Sequence, residues 1–378
     1  MKNTLFIKKL KIDQTVANDM VITVYEFVST KPGKTVYLQS SVHGAELQGN
    51  AVIYELFNYL KEVDFCGKII LVPLANPYAS SQKSGTYTHG RFNPVTGDNW
   101  NRMYLDLCSL DQEQGGIDFK KFIESHGEKS AQEINKDFKK VIRKGFETYL
   151  KYHRDYGIDE NKSLFIELQR LASEADIVLD LHTGARATRY IYSPECQEDK
   201  MKDINFPHYI VIPNEFGGAM DEASFMPWFK LSENFKKENI DYQYDFESYT
   251  VELGNEEVID MDAAKNDAVN ILNLLHQRDV LKDRPKVKKI KQYKCSLKDY
   301  KSYYAKAAGL CEYHIKPGEH FKENDLLCSI YKMDRLDERN AVTEIRALTS
   351  GIVIHQTPSA SVKKGMELIQ VFSNPVTL

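Results

Sequence analysis

A histidine and a glutamate three residues apart, His43 and Glu46, stand in the stretch Ser-Ser-Val-His-Gly-Ala-Glu-Leu-Gln-Gly, just after an extended apolar run. That spacing lets two side chains meet one metal ion, but it does not identify a site by itself. The chain has ten histidines, and His320-Phe-Lys-Glu323 repeats the spacing within a lysine-rich turn that has no strand end and no third ligand nearby. We read His320 as a solvated loop residue. His43 differs because Gly44 permits close backbone approach and a strand end precedes it. A catalytic zinc takes three protein ligands and keeps one position for water, so a third ligand must come from a distant strand. Leu179-Asp-Leu-His-Thr-Gly184 offers His182 in the same setting, after an apolar run and before a glycine. Asp180 alternates with His182 and so shares its face, either as an acceptor for a ligand imidazole or as a buried strand aspartate held by backbone.

The elements that must position these residues are legible around them. Thr35–Ser40 carries β-branched and aromatic residues after a Pro32-Gly33 turn, and reads as a strand. Leu47, Val52, Leu56 and Leu60 then recur at helical spacing in a segment ending near Lys61. Lys68–Leu74 and Asp176–Leu181 are further short apolar runs. Nearly continuous apolar strands separated by helices indicate an α/β fold whose sheet is covered on both faces, with ligands at the carboxyl ends of strands. Residues from about 105 to 175 are rich in Lys, Glu, Asp and Gln and read as a helical insertion, expected to act as a lid or wall. A basic linker, Arg278–Lys294, leads to a trailing region with an internal echo: the segment from Gly309 to Leu327 is followed by a similar one from Gly351 to Ile369. Two copies of one turn-and-strand pattern predict a small C-terminal β barrel. It resembles the half-motifs of biotinyl and lipoyl carrier domains, but Asn340 occupies the position of their modified lysine, which favours a structural barrel. The expected division is a catalytic domain over 1–285 and the barrel over 286–378.

Composition excludes several classes. Fifty basic residues against fifty-four acidic ones, a formal charge of -4, give no global reason to bind nucleic acid or an anionic membrane. No apolar stretch approaches the length of a membrane span, and the start has only five uncharged residues, Asn3 to Ile7, before two lysines, short of a signal peptide. Six scattered cysteines without a C-x-x-C suit a reducing compartment, so a cytoplasmic protein is expected.

His43-x-x-Glu46, Asn76-Pro, Arg91, Asp98-Asn-Trp-Asn101-Arg102, Asp180-Leu-His182-Thr-Gly and Thr250-Val-Glu252-Leu-Gly form an ordered set. This set resembles the succinylglutamate desuccinylase and aspartoacylase family, a branch of the zinc carboxypeptidase-like (M14) fold, over roughly residues 20 to 280. The resemblance implies a mixed central sheet flanked by helices, and one zinc ion held by His43, Glu46 and His182. It implies Glu252 as the catalytic proton carrier and Arg91 as the cation that stabilises the developing oxyanion, although Asn93–Gly97 lengthens the chain between Arg91 and Asn101. Asn101 and Arg102 resemble the pair that grips a substrate carboxylate. Arg186 and Arg189, close after His182, either bind a second anionic group or are solvated. The glycine-rich, aromatic and acidic stretch Phe216–Trp228 is expected to line the pocket entrance.

The leading expectation is a zinc-dependent amidohydrolase acting on a small N-acylated amino acid or related molecule. A metallocarboxypeptidase working on peptides, including cell-wall peptides, would use the same zinc chemistry. A non-catalytic scaffold is the reading from another class. Whether the chain forms a homo-oligomer is left open by the sequence.

Overall fold

The structure, a computed structural model, describes residues 3–378. Ten strands form one sheet in the order Asn3–Gln14, Asp19–Ser29, Lys68–Val72, Thr35–Ser40, Ile177–Gly184, Glu247–Asn255, Arg189–Pro194, His208–Ile212, Tyr293–Ser296 and Val376–Thr377. The central pairs Lys68–Val72/Thr35–Ser40, Thr35–Ser40/Ile177–Gly184 and Ile177–Gly184/Glu247–Asn255 are parallel, while Glu247–Asn255/Arg189–Pro194 and the edge hairpin are antiparallel. The sheet is therefore mixed, and helices cover it.

Strand alternation sorts the core into two layers. Val36, Leu38, Ile177, Leu179 and Leu181 face one apolar cluster, where the helices Gln48–Leu60 and Met261–Gln277 pack together. Tyr37 and Val178 face the other, shared with Ala131–Tyr152, Glu160–Ala172 and Met220–Lys237. Ala131–Tyr152 opens on a capping box of Ser130 and Glu133, and buries Ile134, Phe138, Ile142, Phe146 and Tyr149 at helical spacing. The insertion over 105–175 thus builds the layer beneath the sheet. The expected lid is not found, because the apolar stripe of these helices seeks the sheet face.

The C-terminal region departs from the expected closed barrel. Its strands form two open sheets, one of Tyr300–Tyr304, Glu367–Ser373, Gly351–Gln356 and His320–Phe321, the other of Val342–Arg346, Leu326–Tyr331, Gly309–Tyr313 and Ser361–Val362. The sequence echo has a structural basis. Each copy is a strand, a two-residue strand and a second strand, and each two-residue strand pairs with the first strand of the other copy. The intimate exchange buries a common core including Leu327, Ile330, Val353 and Ile369 without joining the sheets into a ring. The expected basic linker is also more ordered than its charge suggested: the Arg278 guanidinium pairs with Glu247 and Asp203, and Tyr293–Ser296 joins the main sheet.

Candidate metal centre and active site

Three neighbouring strands assemble the site. Thr35–Ser40 runs alongside Ile177–Gly184 with Ser40 opposite Leu181, and the chain then leaves the sheet through Ser41 at a φ of 59°, a left-handed conformation costly for a residue with a side chain. The loop that follows is pinned closely. The Gly44 N–H donates to the Gly90 carbonyl at 2.9 Å, and a Cβ on Gly44 would lie 2.1 Å from the Ala79 carbonyl oxygen. Asn76 donates to the Val42 carbonyl at 3.0 Å while its oxygen caps the turn at Pro77–Ser80. These contacts fix His43 and Glu46 over the strand end. His182 lies within its strand rather than beyond it, because pairing continues to Gly184, and Glu252 is directly opposite it in register. The register then slips between Glu252 and Asn255, where Gly254 takes a φ of 109°.

His43, Glu46 and His182 are all buried, and their potential ligand atoms lie within 4.8 Å of one another. Nδ1 of His43 is 2.8 Å from one Glu46 oxygen and Nδ1 of His182 is 2.7 Å from the other. The outer nitrogens are held as well. Nε2 of His43 lies 2.8 Å from the Asn99 oxygen, an acceptor that places the proton there and leaves Nδ1 free to ligate. Nε2 of His182 lies 2.8 Å from Asp180 Oδ2, off the line of a hydrogen bond, and 3.3 Å from the Asn101 amide. Asp180, fully buried, accepts a hydrogen bond from Gln39 at 2.9 Å, and Gln39 accepts one from the Tyr37 hydroxyl at 2.8 Å.

The electrostatics agree with a cation site. Burial opposes ionisation of Glu46, but the His43 and His182 rings outweigh it and hold the carboxyl well below its usual range. Burial likewise opposes charge on His182, and the Asp180 and Glu46 carboxylates overcome it, raising the imidazole well above its usual value. A proton bridging His182 Nδ1 to Glu46 is what a divalent cation would displace. Two imidazoles and one carboxylate match the donor set of zinc hydrolases that keep a position open. Burial, followed by the Glu46 charge, pushes the Glu252 carboxyl up to about 8. Its Oε2 is buried with no hydrogen-bond partner among the described residues, as are Asn101 Oδ1 and Thr183 Oγ1. Orphaned buried atoms grouped around a donor set are a fit for a metal and a polar substrate.

A cavity of about 650 Å³ opens on these residues and is also lined by Arg91, Arg102, Tyr190, Tyr192 and Asp221. The tight Asn93–Asp98 turn folds Arg91 back toward Asn99–Arg102, and buried Trp100, stacked on Tyr78 at 5.9 Å, anchors that loop. Arg91 Nη1 sits 3.1 Å from Glu46, and Arg102 Nη1 donates to the Asn101 carbonyl at 2.6 Å. No residue of 105–175 lines the cavity.

Arg186 is not brought to the site. Although four residues from His182, it is exposed and pairs along the backbone with Gln356 of the C-terminal sheet, so its side chain lies outside the cavity lining. Arg189 is committed to Asp267, 2.7 Å away. His89 is exposed, and so is His320, although the latter lies in a short strand with its ring 5.1 Å from Tyr293. Of the Phe216–Trp228 stretch, Ala219, Asp221 and Glu222 line the cavity while Trp228 is buried in a helix. Sequence reasoning missed Asn99 and Gln39, for which strand alternation of Gln39 with Tyr37 was the available signal. It also missed Tyr300, His355, Glu367 and Gln370, which reach the cavity from the C-terminal strands.

Comparison with known proteins agrees with this geometry. The catalytic-domain model of the succinylglutamate desuccinylase/aspartoacylase family matches residues 32–278. No curated protein matches the chain. Among solved structures, a candidate succinylglutamate desuccinylase/aspartoacylase from Shewanella frigidimarina is 34% identical, with a TM-score of 0.92 over 100% of this chain and 98% of that one. A candidate member of the same family from Shewanella amazonensis is 36% identical, with a TM-score of 0.92 over 99% and 100%. The product-bound ectoine utilization protein EutE (DoeB) of Ruegeria pomeroyi, 18% identical, shares the fold with a TM-score of 0.68 over 99% and 96%. With its catalytic region matched by the family model and its whole length by relatives a third identical, the chain belongs to the succinylglutamate desuccinylase/aspartoacylase family.

Proposed function

We propose that the chain is a zinc-dependent amidohydrolase that removes an acyl group from an N-acylated amino acid or a related small molecule. The observation that carries this reading is the meeting, in one cavity, of a two-histidine, one-glutamate donor set with Glu252, whose buried Oε2 has no hydrogen-bond partner among the described residues. Bound by His43, Glu46 and His182, the metal would supply Lewis acidity that makes water nucleophilic and polarises a carbonyl at neutral pH.

The protein's own groups do the rest. Glu252 takes a proton from the attacking water and returns it to the leaving nitrogen, a role suited to a carboxyl raised toward neutrality. Water adds to the acyl carbon, the C–N bond breaks, and a carboxylate and an amine are released. Arg91, half exposed to the cavity beside Glu46, is placed to face the carbonyl oxygen as it gains charge. Arg102, whose side chain has a backbone carbonyl as its only hydrogen-bond partner among the described residues, keeps most of its N–H groups for a substrate carboxylate, beside Asn101.

Peptide trimming would use the same groups. Tyr300, His355, Glu367 and Gln370 wall the cavity, which favours a compact substrate over a polypeptide. The test is Glu252→Gln, assayed on N-acyl amino acids and on C-terminal peptides. The variant should keep its metal and fold while hydrolysis of the acyl compounds falls by about 10²- to 10⁴-fold. Near-normal turnover would remove Glu252 from the mechanism, and cleavage of peptides alone would replace the deacylase by a carboxypeptidase.

A further inference from the structure

The C-terminal sheet of Val342–Arg346, Leu326–Tyr331, Gly309–Tyr313 and Ser361–Val362 ends on an open edge. Val342–Arg346 pairs with Leu326–Tyr331 on one side, and no strand among the described residues pairs with the other. Ala341 accepts a hydrogen bond from the Lys332 N–H at 2.8 Å, and Ala347 donates to Asp325 at 2.9 Å and accepts from Asn324 at 2.8 Å, so Ala341, Thr343, Ile345 and Ala347 turn their backbone groups inward. The N–H and C=O groups of Val342, Glu344 and Arg346 then point away from that partner. The side chains alternate in step. Ile345 and Ala347 are buried in the apolar core shared by the two C-terminal sheets, whereas Val342, Glu344, Arg346 and Leu348 are exposed.

The exposed row is complementary to itself. Along the strand it runs apolar, acidic, basic, apolar. Glu344 Oε2 is 2.9 Å from Arg346 Nε and 2.8 Å from Nη2, and both side chains are about half exposed. A second copy laid antiparallel, with a two-fold axis at Ile345, sets Glu344 against Arg346 of that copy and Arg346 against its Glu344, with Val342 facing its Leu348 at either end. Outward backbone groups then meet outward backbone groups, and the charges alternate in a square. Moving the axis to Glu344 or to Arg346 sets like charges face to face, so charge selects the register at Ile345 over its neighbours. The long edge of the main sheet differs. Asn3–Gln14 carries Lys8, Lys9 and Lys11 at its middle, the like charge that keeps an edge from pairing with its own copy.

We propose that Val342–Arg346 is the contact between two copies of this chain, which continue the sheet across a two-fold axis at Ile345. None of these residues lines the catalytic cavity, so association leaves the active site open and is read without any assay of activity. Strands of five residues bury less than a standard interface of about 1,600 Å², which makes the contact weak, with a Kd on the order of 10–100 µM.

The experiment is sedimentation velocity on the full chain from about 1 to 500 µM, a span that brackets this Kd. The wild type should pass from monomer to dimer across it. Glu344→Arg sets arginine against arginine, and Arg346→Glu sets glutamate against glutamate, so each alone should weaken the dimer by at least about tenfold. Because each position faces the other across the axis, an equimolar mixture of the two variants should associate to within about threefold of the wild type, as should the double variant carrying both changes. An unfolded variant could not be restored by mixing, so the rescue separates charge from folding. A wild type that stays monomeric at the top of the range, a dimer that both single variants leave intact, or single variants that do not recover on mixing would each overturn the proposal.

Discussion

Replacing Asp180 by asparagine should weaken zinc binding by one to two orders of magnitude while leaving the fold intact. Asp180 is fully buried, touches His182 Nε2 at 2.8 Å and is itself fixed by Gln39 at 2.9 Å. Asparagine keeps the shape and the oxygen that Gln39 bonds, so no cavity opens, and it sets an amide NH2 in place of Oδ2 beside His182 Nε2. What it removes is the negative charge beside the ring, one of the two carboxylates that raise the basicity of His182 against its burial. Loss of such an outer carboxylate typically costs 10- to 100-fold in metal affinity, which is about 1.4–2.7 kcal/mol. The assay is zinc titration against a competing chelator, with the denaturation midpoint of the chelated protein measured in parallel. An affinity within about twofold of the wild type, with the fold unchanged, would refute the claim that Asp180 tunes His182. A large fall in the midpoint of the chelated variant would instead make Asp180 a folding residue.

Two other perturbations test parts of the site. Gly44→Ala forces a methyl group to within 2.1 Å of the Ala79 carbonyl, so it should lower stability by about 1–3 kcal/mol and weaken zinc binding together; loss of neither would mean that the loop yields freely. In chelated protein, the Glu252 carboxyl is raised from 4.5 to about 8, so its contribution is fully present below pH 4.5 and is lost as pH rises toward 8. Chelated Glu252→Gln should therefore gain about 2–4 kcal/mol on the wild type between pH 4.5 and 8.5 in urea denaturation, and parallel pH profiles would contradict the burial of that charge.

The parts of the site that were legible in the sequence lie on central strands. Apolar runs flanking His43, His182 and Glu252 force those strands into the middle of the sheet, and parallel pairing then sets their ends side by side. Asp180 was legible for the same reason, through alternation with His182. Arg186 was not, because nearness in sequence to His182 says nothing about where the chain turns, and it turns onto the Gly351–Gln356 strand. The edge hairpin of Asn3–Gln14 and Asp19–Ser29 went unread although Ile12, Ile22 and Val24 are buried, since the lysines along its outer strand dilute the alternation. In the C-terminal region the repeated pattern was visible, but closure depends on which strands exchange partners, which short-range pattern does not encode. Tyr300 and Glu367 carry no motif. They belong to the site only because the strands that hold them pack against the catalytic sheet, with the His355 ring resting on Gly184.

The most direct measurement is metal content together with metal-dependent turnover. Purified protein should hold one zinc ion per chain, lose hydrolysis of N-acyl amino acids when the metal is chelated, and regain it in proportion to zinc returned, with His182→Ala holding none. Hydrolysis that persists undiminished without metal, or a wild type that binds no zinc in titration, would contradict the assignment of His43, Glu46 and His182 as the centre of this chemistry.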